Sequence, residues 1–71
     1  MNPYANLNGN SPIIGYEIKP TCITVWFEGD KAYSYSYNKA GRINVEEMKR
    51  LARNGAGLSA YITHNVRFLY D

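Results

Sequence analysis

The sequence predicts a small α+β domain: a three-stranded antiparallel β-meander followed by two α-helices packed on one face of the sheet. Between residues 13 and 37, apolar and polar residues alternate with the period of half-buried strands. Two turn-forming pairs, Pro20-Thr21 and Gly29-Asp30, interrupt that alternation. From residue 44 onward, apolar residues recur at the three- and four-residue spacing of amphipathic helices.

Length and composition limit the chain to one small domain. It has 71 residues, of which 45% are hydrophobic and 20% charged, with a formal net charge of +2. Its single cysteine, Cys22, forms no internal disulfide, which suits a reducing cytosol. No apolar run is long enough to span a bilayer. We therefore expect a cytoplasmic protein that does not bind membranes.

The polar N-terminus differs in composition from the rest. Residues 1–12 contain four asparagines, two prolines and a glycine, and we interpret them as a flexible tail ahead of a single domain over residues 13–71. In the first strand, Ile14, Tyr16 and Ile18 alternate with polar residues and glycine and are expected to face the core.

The next two strands form a hairpin over residues 22–28 and 31–37. Glycine readily takes the positive φ at the first central position of a type II′ turn. We therefore favour a two-residue loop of Gly29 and Asp30, in which Glu28 pairs with Lys31. This register gathers four aromatic residues on the solvent-facing side of the sheet: Trp26, Tyr33, Tyr35 and Tyr37.

A three-residue loop is the alternative, and it has the opposite consequence. Each side chain of the last strand then lies on the opposite face of the sheet. The three tyrosines of that strand join the apolar side chains of the preceding strand in the core. The residues they would join are Ile23, Val25 and Phe27. The sequence leaves both registers open.

The first helix has clear boundary signals. Asn44 is the expected N-cap, Glu47 three residues later completes a capping box, and Ile43 is placed for a hydrophobic staple. Gly55 supplies a left-handed end. A polar loop over residues 38–42 precedes this helix. We expect Glu46 to pair with Arg50 on its exposed face. Its buried stripe is Val45, Met48, Leu51 and Ala52.

The second helix is predicted over residues 59–66. Helical spacing is followed by six residues: Leu58, Tyr61, Ile62, Asn65, Val66 and Leu69. A short extended segment over residues 66–70 is the alternative for the end of the chain; we favour the helix, followed by an irregular end.

Residues typical of catalysis are scarce. His64 is the only histidine and Cys22 the only thiol, and neither metal-ligand spacing nor a glycine-rich phosphate loop occurs. We expect a non-enzymatic protein without cofactor or metal.

The aromatic face predicts a surface for RNA or single-stranded nucleic acid. Trp26, Tyr33, Tyr35 and Tyr37 would stack on bases. Basic residues would contact phosphates: Lys31, Lys39, Arg42, Arg50, Arg53 and Arg67. The alternative for these cations is an ordinary solvated surface, since six acidic residues offset most of the eight basic ones.

A protein-interaction or homodimerisation module is the competing hypothesis. The third strand of the predicted meander is an unpaired edge, which can pair with a partner strand or a second copy. An exposed Trp/Tyr face would also suit a protein partner, because these residues dominate binding hot spots.

Three short motifs occur in order: Ile23-x-Val25-x-Phe27, Tyr33-Ser34-Tyr35, and Tyr61-Ile62-x-x-Asn65-Val66-Arg67-x-x-Tyr70. They resemble the KTSC domain family, small domains found at the C-terminus of some lysyl-tRNA synthetases and as stand-alone bacterial and phage proteins. The resemblance spans residues 11–70 and implies three strands, two helices and a role in RNA binding. The chain departs from the family in lacking a Val-Pro pair after Tyr35 and in carrying Ser59 at an expected glycine.

Overall fold

The computed structural model describes all 71 residues as an antiparallel four-stranded sheet with helices on one face. The strands lie in sequence order: β1 (Asn2–Pro3), β2 (Ile13–Lys19), β3 (Cys22–Phe27) and β4 (Lys31–Ser36). The helices are α1 (Tyr37–Ala40), α2 (Arg42–Asn54) and α3 (Leu58–Tyr61), which continues into a π-helical turn over Ile62–Val66. The predicted α+β class is confirmed, with one strand more than expected. No helix has the length and apolar character needed to cross a membrane.

The additional strand comes from the N-terminus, where β1 pairs with β2. Tyr4 follows β1 into the core, and its hydroxyl oxygen accepts a hydrogen bond from the Leu58 backbone N–H at 3.3 Å. The Leu7 N–H donates to the Gly55 carbonyl at 2.8 Å. The interpretation of residues 1–12 as a tail separate from the domain is therefore corrected. The asparagine-rich composition of this segment gave no indication that one of its side chains, Tyr4, is buried in the core.

The loop between β3 and β4 has three residues, because Phe27 pairs with Lys31. Gly29 and Asp30 both have positive φ, 84° and 61°. The predicted two-residue loop, with its pairing of Glu28 and Lys31, is wrong, and the alternative three-residue loop is observed. Aspartate tolerates the left-handed region better than most residues, so the turn extends by one residue and the parity of β4 reverses.

An irregularity in β2 changes which isoleucine is buried. Ile13 pairs with Phe27 and Gly15 with Trp26, so Ile14 is the extra residue. Ile13 is buried, whereas Ile14 is 44% exposed. The prediction that Ile14 faces the core is therefore wrong, because the bulge shifts the alternation by one residue at the start of the strand.

The start of α2 also differs from the expectation. The helix begins at Arg42, directly after Gly41, and has no side-chain cap. Asn44 lies inside the first turn, where its Nδ2 donates to the Ala40 carbonyl at 2.9 Å. The predicted cap at Asn44 is wrong because α1 occupies the expected loop and the N-cap of α2 lies three residues earlier, at Gly41. The predicted staple also fails, since Ile43 is 85% exposed.

The rest of α2 and the second helical segment agree with the sequence. The helix ends at Gly55 in the left-handed conformation, with φ of 79°. Residues 58–66 are helical, one residue longer than predicted, with Gly57 at the N-cap. The core between α2 and the sheet is made mainly of fully buried side chains from both layers: Ile23, Val25, Tyr35, Val45, Met48 and Ala52.

Candidate functional site

The four aromatic residues predicted to share one exposed face are divided between the two sides of the sheet. Tyr35 faces the helices and is only 2% exposed, and Tyr33 lies half-buried on the same side. Trp26 is half-buried on the opposite side, where it pairs with Ala32. Tyr37 has left the sheet and begins α1. The predicted stacking platform therefore does not form, as a consequence of the three-residue loop.

Part of this set instead lines a pocket at the outer edge of β4, which we call the aromatic pocket. Its volume is about 240 Å³. The Tyr33 ring meets the Phe27 ring edge-on, with centroids 5.7 Å apart, and the tilted Tyr70 ring at 4.7 Å. Tyr35 also lines the pocket, together with three residues from the last part of the chain: Ile62, Arg67 and Phe68.

The rim of the aromatic pocket is exposed, whereas its floor is buried and uncharged. The Phe68 side chain is 73% exposed and Tyr70 38%. At the floor, burial is the main cause that raises the pKa of Tyr35 to about 12, with smaller contributions from Tyr33 and Tyr70. Tyr35 is therefore neutral at physiological pH, and Arg67 is the one charged residue of the lining.

The segment of residues 67–71, which we call the C-terminal strap, closes one side of the pocket. The Asp71 N–H donates to the Ser34 carbonyl at 2.8 Å, and the Ser36 hydroxyl donates to Asp71 Oδ1 at 2.8 Å. The Arg67 guanidinium lies 5.2 Å from the Phe68 ring centroid. Sequence reasoning missed Phe68 in this site, and Tyr70 was indicated only as the last residue of the third motif.

The predicted phosphate-binding cations do not converge. Lys31 pairs with Phe27 across the hairpin, and Arg67 lines the aromatic pocket. The other four lie exposed on α1 and α2: Lys39, Arg42, Arg50 and Arg53. Arg50 is engaged by Glu47, a contact that lowers the pKa of Glu47 and raises that of Arg50.

A second polar cluster lies where α2 meets the turn between β2 and β3. Lys49 is only 4% exposed, and its Nζ donates to the Pro20 carbonyl at 3.1 Å. The ammonium also lies 2.9 Å from Glu46 Oε2 and 5.5 Å from the Tyr37 ring centroid. Hydrogen bonds from Lys49 and then from Tyr37 lower the pKa of Glu46. Glu46 therefore pairs with Lys49 and not, as predicted, with Arg50.

The spacing of α2 contains a signal for this buried lysine. Val45, Met48, Lys49 and Ala52 lie at the positions that form one helical face, and all four are buried. Elsewhere, no group of three or more histidine, cysteine, aspartate or glutamate side chains is placed to hold a metal ion. His64 is exposed, and Cys22 is partly buried.

Comparison with known proteins adds no relative: no protein-family model, curated protein or solved structure matches this chain. The resemblance to the KTSC family, and the RNA-binding role that it implies, remain predictions.

Proposed function

We propose that the protein is a small, non-enzymatic cytoplasmic module that binds a protein partner through the aromatic pocket and its rim. The observation that carries this proposal is the exposed rim. Phe68 and Tyr70 both line the pocket, and both are exposed large apolar residues. Contiguous exposed apolar surface on a small domain is typical of interaction sites, and Tyr and Arg are enriched in binding hot spots.

The charge around the pocket supports a protein ligand over a polyanion. Arg67 and Lys31 are the nearby cations, and three acidic residues, Glu28, Asp30 and Asp71, lie in the hairpin loop and in the C-terminal strap. These acids offset the cations, whereas a surface built for phosphates is strongly basic. A mixed polar rim around an aromatic centre is the usual composition of a protein interface.

Selection from a library of displayed peptides tests this proposal. We expect enrichment of peptides whose binding is lost in Phe68→Ser and retained in Ile43→Ser. The two substitutions form a matched pair, because both remove an exposed apolar side chain, 73% and 85% exposed, from different surfaces. Failure to enrich any peptide over an unrelated control domain would contradict the proposal, and so would equal loss in both variants.

Single-stranded RNA is the second candidate ligand, favoured by the guanidinium of Arg67 lying against the Phe68 ring at the mouth of the pocket. Aromatic rings and arginine planes both stack on bases, at about 1–3 kcal/mol per stacked base. The KTSC resemblance points to the same ligand. Titration of labelled single-stranded RNA at low salt tests this candidate by fluorescence anisotropy. Binding that weakens with salt and in Arg67→Ala, but not in Arg53→Ala, would support it, whereas unchanged anisotropy would contradict it.

A further inference from the structure

The outer edge of β4 is occupied by the chain's own C-terminal strap. β4 is the last strand in the sheet order, so its outward backbone groups have no neighbouring strand. Outside the regular elements, the only backbone hydrogen bond made by a β4 residue joins the Asp71 N–H to the Ser34 carbonyl. This is the contact that an added peptide strand makes with a sheet edge.

Two side chains of the strap also contact β4 as those of a bound peptide would. The Tyr70 ring packs against Tyr33 at 4.7 Å, on the pocket side of β4. The next residue, Asp71, accepts a hydrogen bond from Ser36. An aromatic residue followed by an acidic residue thus lies along β4 in the same direction as the strand.

The strap is held by few contacts. Leu69 and Tyr70 are 37% and 38% exposed and Phe68 is 73% exposed. Its hydrogen bonds to β4 are the two made by Asp71. Segments with exposed side chains and few buried contacts open at low free-energy cost. The strap is therefore suited to exchange with a ligand that makes the same contacts.

We propose that β4 binds an extended peptide segment in which an aromatic residue precedes an acidic one, and that this peptide displaces Tyr70 and Asp71. The inference rests on the proposed protein-binding function and names the kind of partner. The aromatic side chain stacks on Tyr33, the peptide backbone pairs with Ser34, and the carboxylate takes the hydrogen bond of Ser36.

A synthetic peptide with the sequence of residues 66–71, Val-Arg-Phe-Leu-Tyr-Asp, is the probe. It is titrated into the isotope-labelled full chain and into a Tyr70→Ala/Asp71→Ala variant. We expect saturable amide shift changes at Ser34 and Ser36, with at least tenfold tighter binding to the variant, because the native strap no longer competes. A peptide with alanine in place of its tyrosine and aspartate should not bind.

Asp71→Ala alone provides a second variant if the double variant does not fold, and a smaller gain in affinity is expected there. Equal binding to the variant and the unaltered chain would overturn the inference, as would equal binding of the alanine peptide. If selected peptides bind in a Phe68-dependent way but shift no β4 amide, the inference fails and the protein-binding function stands. If no peptide from the library binds, both fail.

Discussion

Tyr33 lies near the start of β4 and Tyr37 directly after its end, and the surroundings of these two rings differ. At one end, the Tyr37 ring lies below the ammonium of Lys49, and its hydroxyl donates to Glu46. At the other end, the Tyr33 ring packs against two aromatic rings, those of Phe27 and Tyr70. Tyr35 lies between them and is almost completely buried.

This difference separates a stabilising end from a binding end. The polar groups around Tyr37 are paired with one another, and Lys49 is tied to the Pro20 carbonyl. This cluster ties α2 to the turn between β2 and β3. The aromatic pocket around Tyr33 is instead lined mainly by aromatic and aliphatic side chains, with the C-terminal strap along one side. Substitutions should therefore affect folding at the first end and binding at the second.

The largest effect is expected at Tyr35, where the two ends meet. Tyr35→Ala removes a buried ring from the core, and such truncations cost about 3–5 kcal/mol of unfolding free energy. Tyr35→Phe keeps the ring and should cost less than about 1.5 kcal/mol. Urea denaturation measures both. Similar small losses in the two variants would show that the ring is not in the core.

Stability should also fall at alkaline pH, since Tyr35 ionises late in the folded state. Its pKa is raised from 10.0 to about 12 because burial disfavours the phenolate. The neutral form is thus favoured by folding, and this contribution is complete below pH 10.0 and is lost as the pH rises through about 12. Denaturation midpoints in this range, with phenolate absorbance, measure it. The variant Tyr35→Phe should lose less stability over the same range, and an equal loss would contradict the assignment.

At the stabilising end, Lys49→Ala should destabilise the fold by about 1–3 kcal/mol, since a buried hydrogen bond to the Pro20 carbonyl is lost. Arg50→Ala is the matched control on the same helix. Its ion pair with Glu47 is exposed, and such pairs contribute about 0–1 kcal/mol. Urea denaturation compares the two. A larger loss of unfolding free energy in Arg50→Ala than in Lys49→Ala would contradict the prediction that the buried cation contributes more to stability than the exposed one.

The smallest effect on folding is expected at the binding end. Phe68→Ser removes a side chain that is 73% exposed, and surface substitutions of this kind change stability by about 0.5 kcal/mol or less. Its unfolding curve should therefore overlay that of the unaltered chain, while its peptide binding is lost. A clear loss of stability would mean that Phe68 is part of the fold and not of a ligand surface.

Local patterns in the sequence predicted the elements that depend on local physics. The left-handed end of α2 at Gly55 follows from glycine conformational freedom and is observed. Helical spacing predicted three of the four buried residues of α2, whereas Leu51 is only partly buried and Lys49 takes the fourth place. The favoured hairpin register was wrong, because Gly29 and Asp30 permit loops of two or three residues and the chain takes the longer one. A one-residue difference there moves every side chain of β4 to the other face.

The candidate site depends on contacts between distant parts of the chain, which no local pattern encodes. Tyr33 and Tyr70 are 37 positions apart and meet only because the strap returns to β4. Tyr4 is likewise a single aromatic residue in a polar segment, and its burial follows from its contact with Leu58. Strand and helix spacing could therefore predict the scaffold, but not which aromatic residues would frame a pocket.

The register of the β3–β4 hairpin is the most direct test, because the aromatic pocket exists only if Tyr33 and Tyr35 face the helices. Thr24 and Ser34 are paired, and their hydroxyl oxygens lie 2.8 Å apart. In an antiparallel sheet such close pairs bring their α-protons together. Nuclear Overhauser spectroscopy should show a strong cross-strand contact between the α-protons of Thr24 and Ser34. A strong contact between the α-protons of Val25 and Ser34 would instead establish the two-residue loop and contradict the account.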